Sequence, residues 1–464
     1  MSYEILDNNR IFIVQRSEIK GRLDPKMALY NRKVLHSLYP KVRLKDVLLC
    51  KPQYGASESG IPRSFMEEPR YIRITDIDEN GLISYNELGA TAKMIEDKYI
   101  LGENDLLIAR SGATVGKAYI HKHVPYECFF AGYLIRFIID TNKALPEYIF
   151  TYTQLNAYKE WVNAIQRPSG QPNINSEEYQ SIEIPLPNIE RQQVIVDVVK
   201  SAYLQKKQKE SEAQQLLDNV DAYILNELGI TLPEIKTDLK NRIFKVNRSE
   251  LEERLDPTVY KDGIKLISNN YDNVKLSSVA YVNPTGTFKG KDIETPISFI
   301  PMESIDEVYS EVSKLEITTI ENASGFTKFK EGDLLWAKIT PCMQNGKSAI
   351  AKNLTNGLGC GSTEFFVMRS KDEQLAIEYL HVILHMKCVR ETAMLYFGGS
   401  AGQQRVSSTF LENFNLPFPP KGKQIEIVNH VCAMRQRAKV LQEEGKTILE
   451  NAKKEVEQMI IGDQ

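Results

Sequence analysis

The chain has 464 residues, 42% hydrophobic and 26% charged, with 58 Lys+Arg against 61 Asp+Glu and a formal net charge of −3. That length gives room for about two to four domains with cores of their own, and the charge balance excludes a polycation that coats nucleic acid nonspecifically. A sequence reader that confines its positive charge to one face stays open. No apolar run approaches the roughly 18 residues of a membrane span, the first ten residues carry no signal-peptide pattern, and six scattered cysteines read as reduced thiols; a cytoplasmic protein is expected.

In chain order, RSEIKGRLDP (16–25) is the first half of a pair. Residues 248–257 read RSELEERLDP, identical at seven of ten positions, at an offset of 232 residues. KVRLKDV (41–47) then matches NVKLSSV (273–279), and SIEIPLP (181–187) matches NFNLPFP (413–419). Arg191, Gln192, Ile195 and Val196 align with Lys423, Gln424, Ile427 and Val428. A period this long marks a duplicated domain and not a solenoid. The interiors diverge most, residues 54–100 and 281–325 sharing little, so one frame carries two different specificities.

Within the first copy, YIRITDI (71–77), DLLIAR (105–110) and GYLIRFII (132–139) read as strands. Residues 146–161 place Tyr148, Ile149, Tyr152, Leu155 and Tyr158 on one face of a helix. The second copy answers with ISFIPMESI (297–305), DLLWAK (333–338), EFFVMR (364–369) and a helix over 374–396. Strands followed by a helix, without regular β-α alternation, predict an α+β fold. Pro-rich exits, IPLPNIERQQ and LPFPPKGKQI, stop each last strand and open long helices over 190–228 and 423–461, with Gly229 and Gly462 as C-terminal caps. About 39 residues at 1.5 Å each make helices of about 60 Å. Helices of that length pack on each other as a rod, or else lie separately, each as an amphipathic helix on its own domain.

The search for catalytic equipment returns near misses. Asn345-Gly346-Lys347-Ser348 resembles the end of a phosphate-binding loop, but Pro341 stands where the opening glycine is required. Glu331, Asp333 and Lys338 suggest a nuclease site only faintly, since Trp336 occupies the place of a carboxylate. His381 and His385 are four apart on a helix, with no third metal ligand in view. No Asn-Pro-Pro-aromatic tetrapeptide of an adenine methyltransferase occurs.

Small-residue polar loops are the positive signal. QRPSGQPNIN (166–175) offers Ser169, Gly170 and Gln171, and FGGSAGQQRVS (397–407) offers Ser400, Gly402, Gln403 and Arg405. Glycine lets a backbone approach a ligand closely, while Gln, Asn and Arg carry the donors and acceptors that read base edges or hold phosphates. Tight turns without a ligand are the other reading. Arg110, Ser111 and Lys117 follow one strand and Lys338 and Lys347 follow its counterpart, and Arg63 precedes a strand in the divergent region; these join the candidate DNA-binding residues.

In the strands YIRITDI and DLLIAR/DLLWAK, the loops SGQPNIN and GSAGQQRVS, and the exits IPLPNIERQQVIV and LPFPPKGKQIEIV, the chain resembles the specificity subunit of type I restriction–modification enzymes, over nearly its whole length. The resemblance implies two tandem target-recognition domains, 1–187 and 231–419, followed by conserved helices, 188–230 and 420–464, that pair as an antiparallel coiled coil. Each domain would read one half of a bipartite DNA site. It implies a noncatalytic subunit whose partners are double-stranded DNA, two modification (methyltransferase) subunits and restriction (endonuclease/translocase) subunits, with no membrane involved. No cofactor is expected in this chain; S-adenosylmethionine, ATP and Mg2+ belong to the partner subunits. Arg167-Pro168 departs from the small residues common there in the family. Two other functions remain to be separated by experiment: a nuclease or methyltransferase active alone, and an adaptor whose rod binds only protein.

Overall fold

The computed structural model describes residues 25–33, 37–166, 172–233, 245–248, 256–399 and 403–462. It divides into two compact units, Met1–Lys209 with Glu443–Gln464, and Glu210–Gln442. The long helices, Ile189–Glu227 and Lys421–Ile461, therefore contribute one half each to each unit.

In the first unit, Gln53–Tyr54, Leu134–Phe137, Leu106–Ala109 and Ala118–Ile120 form an antiparallel sheet in that order. Its inner strands are apolar at nearly every position because both faces are covered. Leu106, Ile108, Ile135 and Phe137 share a core with Tyr148, Tyr152, Trp161 and Tyr179, whereas Leu107, Ala109 and Leu134 share one with Ile72 and Phe130. The split follows the alternation of side chains along a strand. A second sheet orders Ile61–Pro62, Ala90–Thr91, Arg70–Ile72 and Cys128–Phe130, with only the last pair parallel. A ribbon of Lys41–Arg43 and Glu183–Pro185 ties the domain's entry to its Pro-rich exit.

The second unit repeats the first sheet with Ala280–Val282, Phe365–Ser370, Leu334–Ala337 and Ser348–Ile350. Leu334, Trp336, Phe366 and Met368 pack with Tyr379 and Leu380, while Leu335, Phe365 and Val367 pack with Ile300 and Phe329. The other sheet keeps the parallel pair, Pro296–Ile300 with Leu358–Gly361, and rebuilds its flanks with Glu316–Thr319 and Thr327–Lys330. In the first unit the counterpart of Thr327–Lys330 shrinks to the single bridge Ile100–Phe129. The divergent residues thus build Ile61–Pro62, Arg70–Ile72, Ala90–Thr91, Pro296–Ile300 and Glu316–Thr319 of one sheet, and enter the other only at its edge strand, in Tyr54, Tyr281 and Val282.

Several expected elements are interrupted, in the same way in both copies. The helix read over 146–161 is two helices, Pro146–Thr153 and Asn156–Ile165, and that over 374–396 is Ile377–His385 and Lys387–Met394. The breaks fall at Leu155 (φ −81°, ψ 160°) and Met386 (φ −56°, ψ 141°), both extended and both buried. Each following helix starts on a carboxylate from a long helix: Glu457 Oε1 accepts from Ala157 N at 2.7 Å, and Asp221 Oδ2 accepts from Lys387 N at 2.7 Å. Negative charge at a helix N-terminus is favourable, so a partner distant in sequence stabilises the restart. The strands read over 71–77 and 297–305 end early, in short 3-10 turns at Ile74–Asp76 and Met302–Ser304. Asp76 accepts from Arg73 N at 2.8 Å and captures its guanidinium, a local bond that competes with the ladder.

The long helices end where the glycines stand, Gly229 at φ +62° and Gly462 at φ +90°. Small residues line their packing. In the first unit Ala202 clusters with Leu449 and Ala452, and a Cβ on Gly445 would stand 3.4 Å from the Lys206 carbonyl oxygen. Lys209 Nζ meets Glu444 Oε2 at 2.6 Å. In the second unit Ala213 clusters with Ala438 and Leu441, and Lys423 pairs with Glu227.

One clamp occurs twice. Gln192 and Gln424, equivalent in the repeat, have no exposed surface. Gln192 Oε1 accepts from Leu145 N at 2.8 Å and its Nε2 donates to Pro187 O at 2.8 Å. Gln424 Oε1 accepts from Ala376 N at 2.9 Å, and its Nε2 donates to Pro419 O at 2.9 Å and Gln374 O at 3.0 Å. A buried amide satisfied on both ends fixes the first turn of each long helix to its domain. Tyr148 and Tyr379 repeat the theme, each hydroxyl donating to the carbonyl of the exit proline, Pro185 or Pro417.

Candidate nucleic-acid interface

The best-defined place where the two units share a scaffold and differ in side chains is the end of the central strand. Leu106–Ala109 and Leu334–Ala337 are each preceded by a buried aspartate. Asp105 accepts from Gly102 N at 2.9 Å and pairs with Arg136 at 3.3 Å; Asp333 accepts from Lys330 N at 2.8 Å and pairs with Arg369 at 2.6 Å. Burial pushes the Asp105 carboxyl upward, against the pull of Gly102 and Arg136. Asp333 is therefore a structural ion pair, and Glu331 is bound to the Asn353 and Leu354 amides at 2.8 and 2.9 Å. Among the described residues no group of three or more His, Cys, Asp or Glu side chains could hold a metal.

After each strand comes a turn with glycine at φ +88°, Gly116 and Gly346. A Cβ at Gly116 would lie 2.8 Å from Val162, so side chains are excluded there by both conformation and space. The next residue is a lysine whose ammonium bonds a carbonyl at the early strand ending: Lys117 to Ile77 O at 2.8 Å, Lys347 to Met302 O at 3.3 Å. These two lysines staple sheet to turn. Ser348 lies 3.0 Å from both Gly346 O and His381 Nε2, so the Asn-Gly-Lys-Ser segment is a packed corner. His381 is pushed down to about 3, chiefly by burial, and His385 well below its ordinary value. His385 contacts Glu307 O at 3.2 Å and Arg435 at 3.0 Å.

Arg63 also leaves the candidate surface. It is buried, donates to Leu88 O at 2.8 Å and to Met66 O, and lies 4.5 Å over the Tyr126 ring. Ser169, Gly170, Gln171, Ser400 and Gly402 lie outside the described residues.

What remains exposed or half-exposed gathers at the strand end. In the first unit Arg110 stacks over Tyr54 at 5.0 Å, Ser111 bridges to Asn173, and Tyr133 is 63% exposed. Two residues on, Asn175 and Glu178 exchange bonds at 2.8 and 3.0 Å in a capping box that opens the helix Ser176–Gln180. In the second unit Lys338 lies 5.5 Å over Phe366, Ile339 bridges to Arg405, and Gln403 is exposed. Arg405 forms a two-point ion pair with Glu364, Nη2 to Oε1 at 2.8 Å and Nε to Oε2 at 2.9 Å. The Arg405 guanidinium holds the Glu364 carboxyl below the usual range. Asn173 stands in the small-residue polar loop but is not singled out within it by sequence, and Tyr133 and Glu364 read there only as parts of strands; Tyr54 lies outside the motifs. Only the strand register, Ala109 opposite Leu134 and Ala337 opposite Phe365, places Tyr133 and Glu364 at the same spot.

The family model for the type I restriction modification DNA specificity domain matches residues 67–217 and 268–448, once in each half of the repeat. The chain belongs to this family. The type I restriction enzyme EcoEI specificity subunit of Escherichia coli is 34% identical over 197 residues, 42% of this chain and 32% of that protein. The EcoAI specificity subunit of Escherichia coli is 32% identical over 212 residues, 46% of this chain and 34% of that protein. The aligned part is thus about a third of the length of these two relatives. A solved chain, described under complex assembly and conformational transition of the type I R-M system, superposes with a TM-score of 0.52 at 15% identity, over 90% of this chain and 97% of that one, a likeness of fold. No helix among the described residues is long and apolar enough to cross a membrane.

Proposed function

We propose that this chain is the noncatalytic DNA-recognition subunit of a type I restriction–modification complex. Its two target-recognition domains each read one block of a bipartite site in double-stranded DNA. The two long helices pair as an antiparallel coiled coil, which sets the spacing of the blocks and holds two modification subunits. Those subunits methylate adenine with S-adenosylmethionine, and restriction subunits cleave with ATP and Mg2+. The observation that carries this reading is the family match in both halves, together with one retained sheet that ends in different exposed or half-exposed side chains, Arg110, Tyr133 and Asn173 against Lys338, Glu364 and Arg405. Direct readout needs donors and acceptors on a rigid frame, and specificity changes by exchanging them while the frame stays.

Methylome sequencing of a host expressing the chain with its modification subunit tests it. The expected result is new adenine methylation at two short blocks separated by unspecified bases. A continuous motif, or modification of DNA by the purified chain alone with magnesium and S-adenosylmethionine, would overturn the proposal.

A further inference from the structure

The Arg405–Glu364 pair leaves a particular set of donors over. A guanidinium has five N–H groups. Nε and one Nη2 hydrogen are taken by Glu364 at 2.9 and 2.8 Å, and one Nη1 hydrogen by Gln403 O at 3.1 Å. One hydrogen remains on each terminal nitrogen, side by side, on a side chain 43% exposed. Two parallel donors of that spacing match the O6 and N7 acceptors on the major-groove edge of guanine. Glu364 is the less exposed partner at 21%, immediately precedes the strand Phe365–Ser370 with its carbonyl accepting from Lys338 N at 2.9 Å, and removes the rotamer freedom that a long side chain would otherwise lose on binding.

The first domain has a different residue at the same position. Ser111 bridges to Asn173 as Ile339 bridges to Arg405, and Asn173 is exposed. Where the second domain has Glu364, the first has Tyr133, which offers no carboxylate. An asparagine pairs two-point with the N6 and N7 edge of adenine. We propose that this bridged position determines specificity in both domains: Arg405, held in place by Glu364 as a positioning residue, reads a guanine in one block, and Asn173 reads an adenine in the other. The inference rests on the DNA-recognition reading above.

The test uses the full chain assembled with its modification subunit and a randomised duplex library, followed by duplexes carrying each single base-pair change in the selected motif. Wild type should require G·C at one position of one block. E364Q and R405K should each lower that discrimination by roughly 5- to 150-fold, leave the other block unchanged and keep the salt dependence, because the positive charge stays while the oriented fork is lost. N173A should relax an A·T preference in the other block only. Intact G·C discrimination in both R405K and E364Q would overturn the proposal. So would R405A with every base preference intact and a salt slope shallower by about one, which assigns the arginine to a phosphate. If wild type selects no motif at all, the DNA-recognition reading fails first and this proposal falls with it, a result distinct from the other two.

Discussion

The two domains keep one sheet and change the other. The sheet centred on Leu106–Ala109 and Leu334–Ala337 has the same strand order, register and two-sided burial in both units. The neighbouring sheet keeps only its parallel pair, while its flanking strands differ in number and position. A strand buried on both faces tolerates little, because every side chain is packed against something. Edge strands and strand-end loops carry fewer contacts, so a duplicated domain can diverge there and hold its frame. Even the retained sheet shifts a partner: the buried aspartate is kept, but its arginine stands opposite Leu107 in one domain, as Arg136, and next to the Leu334–Met368 pair in the other, as Arg369.

The largest expected effect separates the domains outright. Replacing residues 40–165 with those of a relative should change one block of the recognition motif completely and leave the second intact, as read by methylome sequencing. A change in both blocks would mean that the domains do not read independently.

Next come the retained cores. Trp336→Ala removes the largest fully buried side chain of the second unit's retained sheet and should cost about 3–5 kcal/mol; Ile108→Ala, at the matching position, should cost about 2–5 kcal/mol. Denaturant melts check both values. The two clamps are equivalent in the repeat: Gln192→Ala and Gln424→Ala should each cost about 1–3 kcal/mol by orphaning a buried amide and carbonyl. Gln424→Ala also orphans the Gln374 carbonyl and should cost the more of the two; a larger cost for Gln192→Ala would show that the helix junctions differ beyond these bonds.

Acid should act on both units through buried histidines. Burial, with His123, lowers His121 to about 4; burial, with Arg435, lowers His381 to about 3. Both stay neutral in the folded state at pH values where the unfolded chain binds a proton. Stability is therefore full above about pH 6.5 and falls as pH drops, down to about 4 for His121 and about 3 for His381, by up to about 1.4 kcal/mol per pH unit for each group. His381→Gln should flatten the acid limb of thermal melts between pH 7 and 4. The smallest effect belongs to the distant caps: Glu457→Gln and Asp221→Asn should each cost about 0.3–1 kcal/mol by weakening the charge at a helix N-terminus. Melts at low ionic strength would resolve it, and no loss in either variant would leave the helix breaks at Leu155 and Met386 without this explanation.

By itself the sequence determined the duplication, the central strands and the long helices, whose ends differ from the structure by at most two residues. These are properties of local pattern: apolar runs, prolines that stop strands, glycines that cap helices. Tertiary structure alone decided what the polar residues do. Lys117 and Lys347 look like surface contacts until their ammonium groups meet Ile77 and Met302 carbonyls, and Arg63 until it is found buried over Tyr126. The helix breaks at Leu155 and Met386 depend on carboxylates 300 and 166 residues away from the amides they cap. Glu364 and Tyr133 become candidates only when the sheet register sets them beside the residues that follow the central strand. Hydrophobic periodicity is written along the chain, but a polar group's role is fixed by which partner reaches it, and that is settled only when distant segments fold together.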